Sequence, residues 1–337
     1  MPAGFFLPPL LFTGVRGQPN LPAMNTTTEL PPPPRGKVIT AFAAVYILWG
    51  STYLAIRLGV ATMPPFLMAG TRFLLAGSLM MGWLWFRGHR LPSLLQWKNA
   101  AITGTIMLLG GNGMVCWAEQ TVNSSLAALI IAASPIWFAV FDSLRPGGSR
   151  PKTSTVLGLI VGFSGVVILV LGAPSHGAGP GSTSLAGVLA LVVACAMWAG
   201  GSIYSKYYSV PVSPWMATGA QMLCGGVANS LVSVVRGDLA TFHFAQVSAS
   251  SFGAFIYLII FGSIIGFGAY VWLLEHCAAA KVATYAYVNP VIATLLGGLV
   301  LHEPLTPIIG LAAVVILGGV LIVQWPRWEK AKTASSR

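Results

Sequence analysis

The sequence predicts an all-α integral membrane protein of ten transmembrane helices, arranged as two inverted-topology five-helix repeats. Three observations carry that expectation. Gly111, Gly113, Trp117 and Pro135 return 155 residues later as Gly266, Gly268, Trp272 and Pro290, with the same internal spacing inside apolar sequence. A second register, of 149 residues, places Trp49 on Trp198, Arg57 on Lys206, Pro65 on Pro214, Gly70 on Gly219 and Gly77 on Gly226. The registers differ by only 6 residues, as one tandem duplication with small loop changes would leave them. Finally, 55% of the 337 residues are hydrophobic and 7% are charged, against roughly 25% charged in a soluble domain. Most of the chain faces lipid. Repeats that each hold several apolar spans build two half-molecules around a midplane site.

The same ruler orders the elements, because about 20 apolar residues cross a bilayer. The first span, 38–58, follows Arg35 and Lys37 and ends at Arg57. The second, 66–86, follows Pro64-Pro65 and stops before Arg87 and Arg90. Lys98 opens the third, 99–118; the fourth, 124–143, carries Pro135 and ends at Arg145 and Pro146-Gly147-Gly148. The fifth, 154–172, follows Arg150 and Lys152 and runs out into Gly177 to Gly181. The second half supplies 184–204, ending near Lys206, then 212–235, 250–273, 280–301 before Pro304, and 306–325. All are read as helices, since backbone groups in hydrocarbon must be satisfied within the span and a closed barrel would show ten-residue alternation.

Basic residues cluster on one side of these spans. They include Arg16, Arg35, Lys37, Arg87, Arg90, Lys98, Arg145, Arg150, Lys152, Lys206, Lys281, Arg327, Lys330, Lys332 and Arg337, with Arg236 an exception. The positive-inside rule makes that side, and both termini, cytoplasmic. Five spans per repeat is odd, so the second repeat, 184–325, enters opposite to the first, 38–172. Residues 1–37 form a Pro-rich N-terminal tail, expected to be disordered, with Pro31 to Pro34 in polyproline II; Met24 is a candidate start. Residues 326–337 form a basic C-terminal tail.

Composition also excludes chemistry. The net charge of +11 is scattered through short loops, so it orients helices and does not form a nucleic-acid face. Cys116, Cys195, Cys224 and Cys277 have neither metal-ligand spacing nor an obvious pairing, and the histidines have no metal spacing. No HExxH, acidic cluster or GxxxxGK[ST] run exists. No metal, cofactor or enzymatic site is expected, and the partners are a small solute and the bilayer.

Leu48 to Tyr53, ending in Arg57, then Pro65 and Arg72-Phe73, resembles the first two helices of the drug/metabolite transporter superfamily, EamA type. Ser134-Pro135, Asn289-Pro290, Glu303, Gly310 and Gly318-Gly319-Val320 fit the same pattern, over about residues 38–325. The resemblance implies a plasma (inner) membrane protein with cytoplasmic termini. It also implies proton-linked or facilitated movement, often export, of small metabolites or drugs. One departure stands out: Glu303 follows the ninth span, whereas the stretch after the fourth reads Arg145-Pro146-Gly147-Gly148-Ser149.

Polar groups inside the spans are the candidates for a site, because each is costly in hydrocarbon unless paired or wet. Arg72 is either an outer-end arginine that snorkels or an anion-holding group; its repeat partner is Gln221. Arg57 and Lys206 are gate candidates, or plain helix-end cations. Glu119, Glu275 and Glu303 are proton-coupling candidates, Glu119 and Glu275 ranking first; His276 beside Glu275 is weak support for a relay. Trp49 and Trp198 either line a cavity or fill helix packing. Tyr53, Asn112, Tyr285, Tyr287 and Asn289 are contact candidates, and Pro135 and Pro290 are hinge candidates that free a carbonyl. By the resemblance, the first, third, fourth, sixth, eighth and ninth spans meet at the midplane. A secondary transporter fits best, a channel or a structural subunit of a larger complex being the competing reading.

Overall fold

The computed structural model describes residues 34–146, 153–172, 184–208, 213–277, 282, 284–303 and 306–335. The expected tail up to residue 33, including Met24, lies outside them, as do Arg150, Lys152, Gly177 to Gly181 and Lys281. Among the described residues the protein is helical, without strands. The long helices are α1 Arg35–Gly59, α2 Pro65–Phe86, α3 Leu94–Ala118, α4 Ser124–Leu144, α5 Thr153–Gly172, α6 Leu185–Tyr208 and α7 Pro214–Val235. After them come α8, which runs through Ala249–Tyr257, Leu258–Ile265 and Gly266–His276, then α9 Tyr285–Leu301 and α10 Pro307–Ser335. Among the described residues seven helices are long and apolar enough to cross a membrane, and Val156–Ile168, Val288–Leu301 and Pro307–Ile322 are shorter apolar stretches. Leu79, Trp83, Leu231, Leu299 and Val314 point outward exposed, as a lipid-facing surface requires.

Local chemistry accounts for three of the helix starts. Pro65 and Pro214 start α2 and α7, where a missing N–H costs nothing. Ser93 and Gln96 form a capping box, with Gln96 Oε1 accepting from the Ser93 N–H at 2.8 Å, so α3 begins at Leu94 instead of 99. Hydropathy hid this turn because Gln96, Lys98 and Asn99 are polar. α1 takes in Arg35 to Lys37, α9 begins at Tyr285 instead of 280, and α10 continues past 325 through Ser335. Two segments differ from the plain helices expected: Thr105–Gly113 in α3 and Leu258–Ile265 in α8 are π-helical.

The helices pack in matched pairs. α2 packs on α7, α5 on α10 and α4 on α9; α1 packs on α8 and α9, as α6 packs on α3 and α4. Glycine lets the backbones of α2 and α7 touch: a Cβ at Gly77 would lie 2.9 Å from the Gly219 carbonyl oxygen, and one at Gly226 would lie 3.0 Å from that of Gly70. Residue 70 thus meets 226 while 77 meets 219, so the two helices run antiparallel. Gly162 meets Gly319 as Gly165 meets Ile316, which makes α5 and α10 antiparallel as well.

Candidate functional site

Trp49 of α1 projects onto the π segment of α8. Its indole N–H donates to the Gly262 carbonyl at 3.2 Å, and its ring lies 5.2 Å from Phe267, 4.9 Å from Tyr270 and 5.1 Å from Tyr285. A Cβ at Gly266 would come within 2.6 Å of the Trp49 Nε1. Trp198 of α6 does the same to α3: its ring covers Gly111, where a Cβ would sit 3.2 Å away. It also reaches Phe267, with centroids 6.3 Å apart. The two tryptophans therefore converge on one aromatic cluster, each lying over the repeated glycine of the opposite half.

The π segments explain why polar contacts gather here. A π turn is wider than an α turn and disturbs the regular ladder, so carbonyls become available to neighbours, and such turns recur at functional sites. In α8 the Gly262 carbonyl accepts from Trp49; in α3 the Leu108 carbonyl accepts from the Asn229 amide of α7 at 3.1 Å. Asn229 is fully buried, its Oδ1 is unpartnered, and its Nδ2 also donates to the Gly225 carbonyl at 2.8 Å.

Arg72 of α2 is 2% exposed. Its Nε donates to Ser263 Oγ at 2.8 Å, its guanidinium lies 4.8 Å from the Phe73 ring, and its Nη1 has no partner.

A second polar group sits where α1, α3, α4 and the α9–α10 turn meet. Glu119, in the turn between α3 and α4, is 0% exposed, and neither carboxyl oxygen has a partner. Burial pushes this carboxyl well above the usual carboxylate range; nearby Glu303 acts the same way and Arg57 opposes. Arg57 donates through Nη1 to the Glu119 backbone carbonyl. Glu303 is bound tightly: its Oε1 accepts from the Ser124 N–H and hydroxyl, both at 2.8 Å, and its Oε2 from the Ser125 N–H at 3.1 Å and the Ser125 hydroxyl. The N-cap Asn123 makes no side-chain cap. The first free N–H groups of α4 are capped instead from a distant turn, by a charge the helix dipole favours. His302, at φ 53°, forms the left-handed turn before Glu303.

The remaining candidates are spread more widely. Tyr53 lies within electrostatic reach of Glu119 and Tyr285. Asn112 is half-buried, and its Oδ1 accepts from the Cys116 thiol at 3.7 Å. Asn289, oriented so that its amide nitrogen faces acceptors, donates to the Tyr285 and Tyr46 carbonyls at 3.2 Å each, which ties α9 to α1. Lys206 is exposed, 5.1 Å from the Tyr207 ring, and far less enclosed than Arg57. Pro135 follows a break in α4 at Ala132–Ala133, whereas Pro290 sits inside an unbroken α9. His276 stacks on Trp272 and is bonded to its carbonyl. The side chains of Glu275 and Tyr287 lie outside the described residues. All four cysteines are free, and the described residues contain no cluster able to hold a metal.

Sequence reasoning singled out Trp49, Trp198, Tyr285 and Arg72 but missed Phe267, Tyr270, Ser263 and Asn229. One signal was available: in the 155-residue register Phe267 is the counterpart of Asn112, each held between the repeated glycines.

The described residues form a multi-span helical bundle with an aromatic centre, a buried arginine and a buried carboxyl, and comparison with known proteins identifies its kind. The EamA-like transporter family model matches residues 36–171 and again 185–325, and the chain belongs to that family. It is 40% identical over 284 residues to the uncharacterized inner membrane transporter YedA of Escherichia coli (strain K12), covering 84% of this chain and 89% of that one. It is 28% identical over 291 residues to the uncharacterized transporter YvbV of Bacillus subtilis (strain 168), covering 86% and 90%. A WAT1-related chloroplastic protein of Arabidopsis thaliana is 25% identical over 291 residues, covering 85% and 69%. One solved structure shares the fold at a TM-score of 0.58 and 20% identity, over 86% of this chain and 98% of its own. With its apolar helices and its family, the chain is a multi-pass membrane transporter.

Proposed function

We propose that the protein is a secondary transporter exporting small metabolites or drugs by alternating access, built from two five-helix repeats of opposite orientation and coupled to protons. The observation that carries this reading is reciprocity. Trp49 covers Gly266 as Trp198 covers Gly111, and Gly70 meets Gly226 as Gly77 meets Gly219. Exchanging each residue for its repeat counterpart turns one contact into the other. Two antiparallel helices exchanged in this way are related by a two-fold axis perpendicular to both; for spanning helices that axis lies in the membrane plane, the arrangement of inverted repeats. Such a pair can rock about the shared aromatic centre formed by Trp49, Trp198 and Tyr285. Glu119 supports the proton coupling, being a buried carboxyl whose neutral form the surroundings favour. The direction of transport follows the family resemblance.

The test is counterflow. Purified protein in proteoliposomes preloaded with a mixed metabolite pool should accelerate uptake of trace labelled solute only when the same solute is inside, and uptake should saturate. A channel passes solute without exchange stimulation, and a structural subunit passes none; either result removes the reading.

A further inference from the structure

Resting on the transporter reading, the site around Arg72 allows the chemistry of the solute to be named. A guanidinium that is 2% exposed in a lipid-embedded helix needs a counter-charge. Among the described residues the ion pairs are Arg145–Asp142 and Arg236–Asp238, and Arg72 is in neither. Ser263 occupies Nε, Nη2 lies over Gly262, where a Cβ would sit 3.2 Å away, and Nη1 is unpartnered. Gly262 is also the residue whose carbonyl accepts the Trp49 indole. Arg72 and the aromatic cluster thus approach the same π turn, one presenting an unspent cation and the other an apolar wall. The repeat counterpart of Arg72 is the neutral Gln221, so the charge marks only one side of an otherwise duplicated centre.

We infer that the transported solute is an organic monoanion, whose carboxylate binds Arg72 through Nη1 and whose apolar body lies against Trp49, Phe267 and Tyr270. One free donor edge and one unpaired cation suit a single negative charge; a dianion would need a second cation, which this turn does not offer.

Three probes of one shape test this: 3-phenylpropionate, 3-phenylpropionamide and 3-phenylpropylamine, titrated against the purified full-length protein by calorimetry. The carboxylate should bind at least about tenfold tighter than the amide, as expected for a charge-assisted bond in a dry site, and the amine weakest. Arg72→Gln should erase the preference and retain the amide's affinity. Because Arg72→Gln could fail to fold, the wild-type series stands alone as a test, and Arg72→Lys, which keeps the charge, should retain a reduced preference for the carboxylate. Equal or stronger binding of amide or amine by the wild type, no binding of any probe, or a preference that survives Arg72→Gln would each overturn the inference. Counterflow with the metabolite pool does not presuppose an anion, so failure of the transporter reading is seen separately.

Discussion

Glu303→Ala is expected to destabilise the protein by about 3 kcal/mol, read as the loss in unfolding free energy in mixed micelles. The carboxylate receives four hydrogen bonds from two successive residues at the start of α4. Removing it strands two buried N–H groups and two hydroxyls where no side-chain cap exists locally. Glu303→Gln retains an acceptor but turns its amide N–H₂ toward donors, so it should recover only part of the loss. Ser124→Ala with Ser125→Ala should cost less than Glu303→Ala, because the backbone N–H groups keep their acceptor. A loss under 1 kcal/mol for Glu303→Ala would show that the turn is not held by this cap.

Glu119→Gln is expected to abolish accumulation driven by a pH gradient while leaving exchange of solute for solute, which requires no net proton movement. The amide mimics the neutral acid that burial favours but cannot release a proton. The same substitution should change the pH dependence of stability. A carboxyl raised in the folded state stabilises fully below its unfolded value, near pH 4.3 for an ordinary glutamate, and that contribution is lost as pH rises through the raised folded value. Glu119→Gln should therefore flatten the decline in stability between those two values. Accumulation that persists in Glu119→Gln removes this carboxyl from the coupling, whatever its effect on stability.

Much of the architecture was legible because bilayer thickness and backbone satisfaction leave few choices. The paired glycines at 70 and 219, and at 77 and 226, were visible as a register, and the structure gives them a reason: side chains there would separate α2 from α7. The aromatic centre was legible only in part. Trp49 and Trp198 declared themselves by recurrence, but Phe267 did not, since its counterpart Asn112 differs in character. The π segments were invisible, because a change from i→i+4 to i→i+5 bonding leaves the apolar pattern nearly intact. Glu303 was readable as a carboxylate near a span end, but its partners Ser124 and Ser125 lie 179 and 178 residues away in the chain, and no local pattern encodes that meeting.

The opposite orientation of the two repeats is the claim on which the mechanism depends, and side-specific thiol labelling tests it most directly. In a background lacking Cys116, Cys195, Cys224 and Cys277, single cysteines are placed at His89, in the α2–α3 turn, and at Ala245, in the corresponding α7–α8 connection; both positions are exposed. A membrane-impermeant maleimide added to intact cells should label the cysteine at 245 and reach the one at 89 only after permeabilisation. Labelling of both from the same side of the membrane would contradict the inverted arrangement and, with it, the alternating-access account.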